Sequence, residues 1–175
     1  MNSRRIVVLG LGLAALGSMA VIGQRQRASA HESVTATLNG KKVTIEYGRP
    51  QMKGREIFGK LVPYGQVWRT GADEATTLTT EGDLMLGSLH VPAGTYALFT
   101  IPGEKEWTLI VNKTAKQWGA FKYDQAADLG RVKMAVKSLA SPVEVFTIAI
   151  EAQGGKGELK MHWDKTEASI PIMMH

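Results

Sequence analysis

VTATLNGKKVTIEY, residues 34–47, alternates apolar and polar side chains on both sides of Asn39-Gly40. Alternation with period two marks a strand with one buried face. Asn-Gly is the pair best suited to a type I′ hairpin, whose two central residues both need positive φ. The stretch therefore predicts two antiparallel strands, 34–38 and 43–47, with their register set locally by the turn.

The same alternation recurs toward the carboxyl end, and helix-length apolar periodicity is absent. Strands are expected over 75–80 and 83–91, separated by Glu81-Gly82. After a Pro92-Ala93-Gly94 turn, two more are expected over 94–101 and 106–112, flanking Pro102-Gly103. The second of these places Trp107, Leu109 and Val111 on one face. A looser stretch, 113–129, precedes three strands with clear inward faces: Val132, Met134 and Val136; Phe146, Ile148 and Ile150; Leu159, Met161 and Trp163. Residues 166–172 close the domain. About ten short strands, with at most one or two helical turns, predict an all-β fold. The expected architecture is an antiparallel two-sheet sandwich, jelly-roll or immunoglobulin-like, in preference to a barrel.

The amino terminus has the layout of a cleavable export signal over residues 1–30: Arg4 and Arg5, an apolar run over 6–23, and the A-x-A site Ala28-Ser29-Ala30. The mature chain then starts at His31 and forms a single domain, 31–175, in the periplasm or outside the cell. An uncleaved anchor is the alternative, because about 18 apolar residues can span a bilayer. Ser3-Arg4-Arg5-Ile6-Val7-Val8 partly resembles a twin-arginine signal. Val7 stands where an aromatic residue is usual, so the general secretory route stays open. No later segment is apolar enough to span a membrane.

Of 21 basic residues, Arg4, Arg5, Arg25 and Arg27 belong to the leader, which leaves 17 against 16 acids. The mature domain is nearly neutral, and nucleic-acid binding, which needs a basic face, is not expected. The absence of cysteine excludes disulfides, thiolate chemistry and cysteine-ligated metal. His31, His90, His162 and His175 lack the paired spacing of a metal site, so neither metal nor cofactor is expected; His162, beside Lys160 and Asp164, reads as solvated. Gly87-Ser88-Leu89 lacks the nucleophile elbow of a serine hydrolase. Gln153-Gly154-Gly155-Lys156-Gly157 lacks phosphate-cradling spacing and reads as a hairpin turn.

One connection breaks the strand pattern. Residues 48–76, GRPQMKGREIFGKLVPYGQVWRTGADEAT, crowd arginines, aromatics, glycines and acids together. A helical turn within 52–61 would dock Ile57, Phe58 and Leu61 on the core. Arg49, Arg55 and Arg69, with Lys53, can form an anion site, since guanidinium forks bind carboxylate or phosphate bidentately. The competing structural role is that Arg69 pairs with Asp73 or Glu74 and that Arg49 satisfies loop carbonyls. Tyr64 and Trp68 can stack on a sugar or ring, although Trp68 also reads as core. Asp73 and Glu74 are adjacent, which in extended backbone points them to opposite faces and argues against a paired-carboxylate glycosidase.

Several words here and beyond resemble the bacterial domain of unknown function 2911 family: Gly48-Arg49-Pro50, Lys53-Gly54-Arg55, Ile57-Phe58-Gly59, Leu61-Val62-Pro63-Tyr64-Gly65 and Val67-Trp68-Arg69-Thr70-Gly71-Ala72. Glu74-Ala75-Thr76, Pro92-Ala93-Gly94-Thr95-Tyr96, Trp107, Asn112, Gln117-Trp118-Gly119 and the Trp163 strand extend it over nearly the whole mature chain. Asp73 departs from the family's usual asparagine, which weakens any mechanism that needs a carboxylate there. The resemblance implies an exported, largely β domain and carries no activity with it.

The expected function is a non-catalytic binding or interaction module for a small anionic or glycan-like ligand, held by Arg49, Lys53, Arg55, Tyr64, Trp68, Arg69 and Glu74. The alternatives are a hydrolytic enzyme, with Glu74 or Asp73 as base and Arg69 stabilising developing charge, and a structural partner in an envelope complex.

Overall fold

The computed structural model describes residues 26–175; of the leader expected over 1–30, residues 1–25 lie outside them. The strands are β1 (Ala30–Leu38), β2 (Lys41–Arg49), β3 (Thr76–Thr80), β4 (Leu84–Leu86), β5 (Leu89–Val91), β6 (Gly94–Ile101), β7 (Glu106–Asn112), β8 (Asp128–Gln153) and β9 (Lys156–Met174). Among the described residues the only helical element is a 3-10 turn, Gln125–Ala127.

Local chemistry sets the first hairpin. Asn39 and Gly40 take φ of 47° and 76°, and Leu38 pairs with Lys41 across the turn, as the Asn-Gly pair requires. The expected single strand over 83–91 is instead a tight hairpin of β4 and β5. Gly87 turns the chain there with φ 55°, its α-carbon packed near Ile170 and Val132.

All nine strands join one antiparallel sheet in the order β1-β2-β3-β6-β7-β8-β9-β4-β5. The all-β expectation holds, but a sandwich of two sheets is not confirmed, because hydrogen bonds run through a single open sheet. The reason lies in β8 and β9. Alternation on either side of 138–146 predicts separate strands, whereas one 26-residue strand passes through register shifts between Ser138 and Val143 and between Val143 and Thr147. Bulges bend a strand and raise its twist without ending it. Opposite the bulge, Asp164 of β9 adopts φ 51°.

Beyond the bend, the far half of β8 meets the start of the chain. Met52 N donates to the Glu144 carbonyl (2.8 Å), and Phe146 N donates to the Pro50 carbonyl (2.9 Å). The Tyr47 hydroxyl accepts from Ile148 N at 2.9 Å. Burial pushes the Tyr47 phenol above its ordinary pKa, against the opposing backbone hydrogen bond.

The enclosed core is aromatic. Trp107, Trp163, Tyr47 and Phe146 are at most 1% exposed. Trp68 stacks on Trp163 (5.9 Å between centroids, 14° between planes) and meets Phe146 edge-on at 5.1 Å. The inward faces read from alternation hold: Trp107, Leu109 and Val111, then Phe146 and Ile148, then Leu159, Met161 and Trp163 all belong to this cluster. The opposite face of β6 and β7 buries Phe99 and Ile110 with Ala75 and Ala97.

Replacing Trp163 with alanine is expected to cost about 3–5 kcal/mol, through lost transfer energy and the cavity left behind. A lower denaturation midpoint at unchanged slope is the readout; an unchanged midpoint contradicts this description of the core.

Candidate functional site

Between β2 and β3 the chain makes a series of turns in place of the helical turn expected within 52–61. Lys53 and Gly54 have φ of 48° and 72°, and Val62 N returns to the Ile57 carbonyl at 2.9 Å. The local Gly-rich composition favours such turns over a helix. Ile57 is buried and Phe58 packs edge-on to Trp107 (4.9 Å). Leu61, expected to dock, is 45% exposed.

Trp68 then bridges the edge of β6, exchanging backbone hydrogen bonds with Thr100 at 2.7 and 3.0 Å. Beyond it, residues 70–76 form a knot. Thr70 and Asp73 have φ of 57° and 63° although neither is glycine, a conformation sustained only where surroundings over-determine it. The surroundings here are polar and buried: the Thr76 hydroxyl donates to the Thr70 carbonyl (2.6 Å), and Thr70 and Thr100 share a hydroxyl bond (3.1 Å). Gly119 N donates to the Asp73 carbonyl and Ala75 N to the Gln117 carbonyl, each at 2.9 Å. The Gln117-Trp118-Gly119 loop thus clamps the acid pair from outside.

Two clefts flank this knot. The first, about 800 Å³, is lined by Arg49, Lys53, Arg55, Arg69 and Asp73 and reaches Trp68 and Trp163. The second, about 650 Å³, is lined by His31, Glu32, Glu46, Glu74, Lys116 and Trp118. Both volumes fall in the range of small-ligand pockets.

The four predicted cations share the first cleft but differ in their commitments. Arg49 pairs with Glu32 (2.5 Å) and donates to the Phe146 carbonyl (3.2 Å) and the Thr147 hydroxyl (2.9 Å). Arg55 donates to the carbonyls of Met52 (2.9 Å) and Gln51 (2.5 Å). Both therefore perform the bracing role that competed with ligand binding, while keeping their charge at the cleft. Lys53 and Arg69 form no ion pair among the described residues. Burial lowers the Arg69 pKa, with the nearby Asp73 charge opposing the shift, and Arg69 Nε is buried without a hydrogen-bond partner.

Neither acid pairs with Arg69. Asp73, with its side chain 8% exposed, accepts the backbone N–H groups of Ala28 and Ser29, both at 3.0 Å. Glu74 holds the Arg27 guanidinium at 2.9 and 3.2 Å and lies 3.1 Å from His31 Nε2. Residues 27–30 were assigned to the leader, and this role was missed for that reason. The Gln117-Trp118-Gly119 word was visible, but its contact with Asp73 and Glu74 is non-local.

Of the remaining candidates, Tyr64 is 40% exposed and lines neither cleft. Trp68, 9% exposed, is chiefly core. His162 is not solvated as expected: it lies 2.7 Å from Glu167, a buried acid that also pairs with Lys137 at 2.7 Å. No helix of the described residues is long and apolar enough to cross a membrane.

The profile of a family described as a protein of unknown function, DUF2911, matches residues 29–172. No curated protein and no solved structure matches the chain.

The knot depends on a close backbone approach. A Cβ at Gly48 would lie 2.2 Å from the Ala72 carbonyl oxygen. Gly48→Ala is therefore expected to displace residues 71–73 and to cost about 1–3 kcal/mol as overpacking. Thermal denaturation measures this; a wild-type melting temperature contradicts the close approach.

Proposed function

The chain belongs to the DUF2911 family, and from the first cleft we propose that it is an exported, periplasmic binding module for a small anionic ligand, held chiefly by Lys53 and Arg69 and flanked by Arg49 and Arg55. The observation that carries this reading is the gathering of four cations in one concavity of about 800 Å³, of which Arg49 alone has an ion pair among the described residues. A half-buried guanidinium whose charge is opposed by burial gains more from an anion than an exposed one does, because the interaction is less screened. Arg49 and Arg55 are already oriented by carbonyl and hydroxyl partners, so little side-chain freedom remains to be lost on binding.

Export is supported by the leader pattern and by the surface position of the A-x-A tripeptide, in which Ala28 and Ala30 are exposed. The scaffold serves as a sandwich would, with the bent β8 and β9 shared between two layers around the aromatic core. An anion is favoured over a glycan because Tyr64 lies outside both clefts and Trp68, 9% exposed, is engaged with the aromatic core. The hydrolytic alternative is weakened by geometry: Glu74 lines one cleft and Arg69 the other, and Asp73, which does share the Arg69 cleft, has its carboxylate taken by the Ala28 and Ser29 N–H groups.

Inorganic phosphate and citrate, added in millimolar steps, are expected to raise the melting temperature of the wild-type chain by mass action. In Arg69→Gln and Lys53→Ala that rise should shrink, with affinity falling by about tenfold for each lost charge-assisted contact. Equal shifts in wild type and both variants would overturn the anion site.

A further inference from the structure

Asp73 is built to receive nitrogen donors, and in the described chain a piece of the chain itself supplies them. Its carboxylate is 8% exposed and takes two successive backbone N–H groups, Ala28 and Ser29, at 3.0 Å each. Arg27 crosses the rim to Glu74. Residues 28–30 line the same cleft as Lys53 and Arg69, so this strap fills the acidic end of a concavity whose other end is cationic.

Cutting at the A-x-A site removes the strap. Hydrolysis of the Ala30–His31 peptide bond by a leader-cutting peptidase consumes one water and leaves a carboxylate on Ala30 and an α-amino group on His31. Glu74 loses Arg27 but keeps the His31 imidazole at 3.1 Å. Asp73 loses both backbone donors and keeps the His31 imidazole, whose Nε2 lies 3.8 Å away. Part of the cover over Asp73 is the strap itself, so cleavage leaves a carboxylate on the cleft wall with neither its donors nor its lid, open to a ligand that supplies N–H groups. The backbone that carries Asp73 stays in place, because Gly119 N holds its carbonyl and Ala75 N holds that of Gln117.

We infer that residues 27–30 are a removable, cis-acting occupant of a zwitterion site: after cleavage, Asp73 takes the ammonium end of an amino-acid-like or short peptide ligand whose carboxylate end lies on Lys53 and Arg69. The strap's two N–H groups stand in for that ammonium. This rests on the anion reading of the same cleft and adds its second pole. A ligand with both charges satisfies Asp73 and Arg69 together, whereas a simple anion leaves Asp73 bare and like-charged beside it. The cleft is larger than one amino acid needs, which favours a short peptide.

The test uses the chain as exported by a bacterial host, its amino terminus read by mass spectrometry, beside the uncut chain. Calorimetric titration compares tri-L-alanine, N-acetyl-tri-L-alanine and citrate. The cleaved chain is expected to bind tri-L-alanine, with acetylation of the amine or retention of residues 27–30 each weakening it by about tenfold or more. Asp73→Asn, which keeps a side chain tolerant of positive φ, is expected to erase the preference for the free amine while leaving citrate binding in place. In the uncut chain, Asp73→Asn and Glu74→Gln should speed tryptic cutting after Arg27. Equal binding of the free and acetylated peptides, or citrate binding without peptide binding, overturns the zwitterion site and leaves the anion site standing. Loss of citrate binding as well overturns both. A mature terminus that retains residues 28–30, or tryptic rates unchanged in both variants, overturns the strap.

Discussion

Trp68 holds the connection between β2 and β3 to the scaffold. That connection, residues 50–75, has no strand or helix of its own, and such a segment stays ordered only if something in its middle is buried. Trp68 supplies that anchor by stacking on Trp163 and packing against Phe146, while its backbone joins the β6 edge at Thr100. Phe58 adds a second fixed point among the same rings. Buried aromatic pairs contribute about 0.5–1.5 kcal/mol beyond area burial. Several contacts of this kind outweigh the ordering entropy of a few loop residues, but not of all of them. The remainder is ordered by arginine-to-carbonyl hydrogen bonds.

That second set of contacts explains why the arginines of the connection do unequal work. Arg49 satisfies the Phe146 carbonyl of β8, and Arg55 satisfies the Gln51 carbonyl and adds to the backbone N–H already on the Met52 carbonyl. Arg69 has no such duty, and burial opposes its charge. A bracing arginine gains stability from its partners, whereas an unbraced, half-buried one costs stability in the free protein. Retaining it there makes physical sense where an anion completes it.

Legibility from sequence followed range. Period-two alternation placed Trp107, Phe146, Met161 and Trp163 in the interior, and Asn39-Gly40 set its turn, because both depend on neighbours a few residues away. Alternation carries no record of where a strand bends. The bulge at 138–147 looked like a gap between two strands, and Gly87 inside an apolar run looked like a continuing strand. The same limit governed the site. Gathering Arg49, Lys53, Arg55 and Arg69 was visible because they share one connection. The partners of Asp73 and Glu74 were not, since Ala28, Ser29 and Arg27 lie more than forty residues away and read as leader.

Asp73 and Arg69 show what that distance conceals. Four residues apart in a tight loop, they have the charges of an ion pair, yet their charges interact without forming one. Had they paired, each would have neutralised the other and the cleft would have carried the bracing arginines and Lys53 alone. The left-handed backbone at Thr70 and Asp73, with the close contact between Gly48 and Ala72, holds the acid toward residues 28 and 29 and away from Arg69. Backbone strain here keeps two opposite charges apart within one concavity. Such an arrangement is unfavourable in isolation, and the zwitterion inferred for this cleft would relieve it by presenting both signs at once.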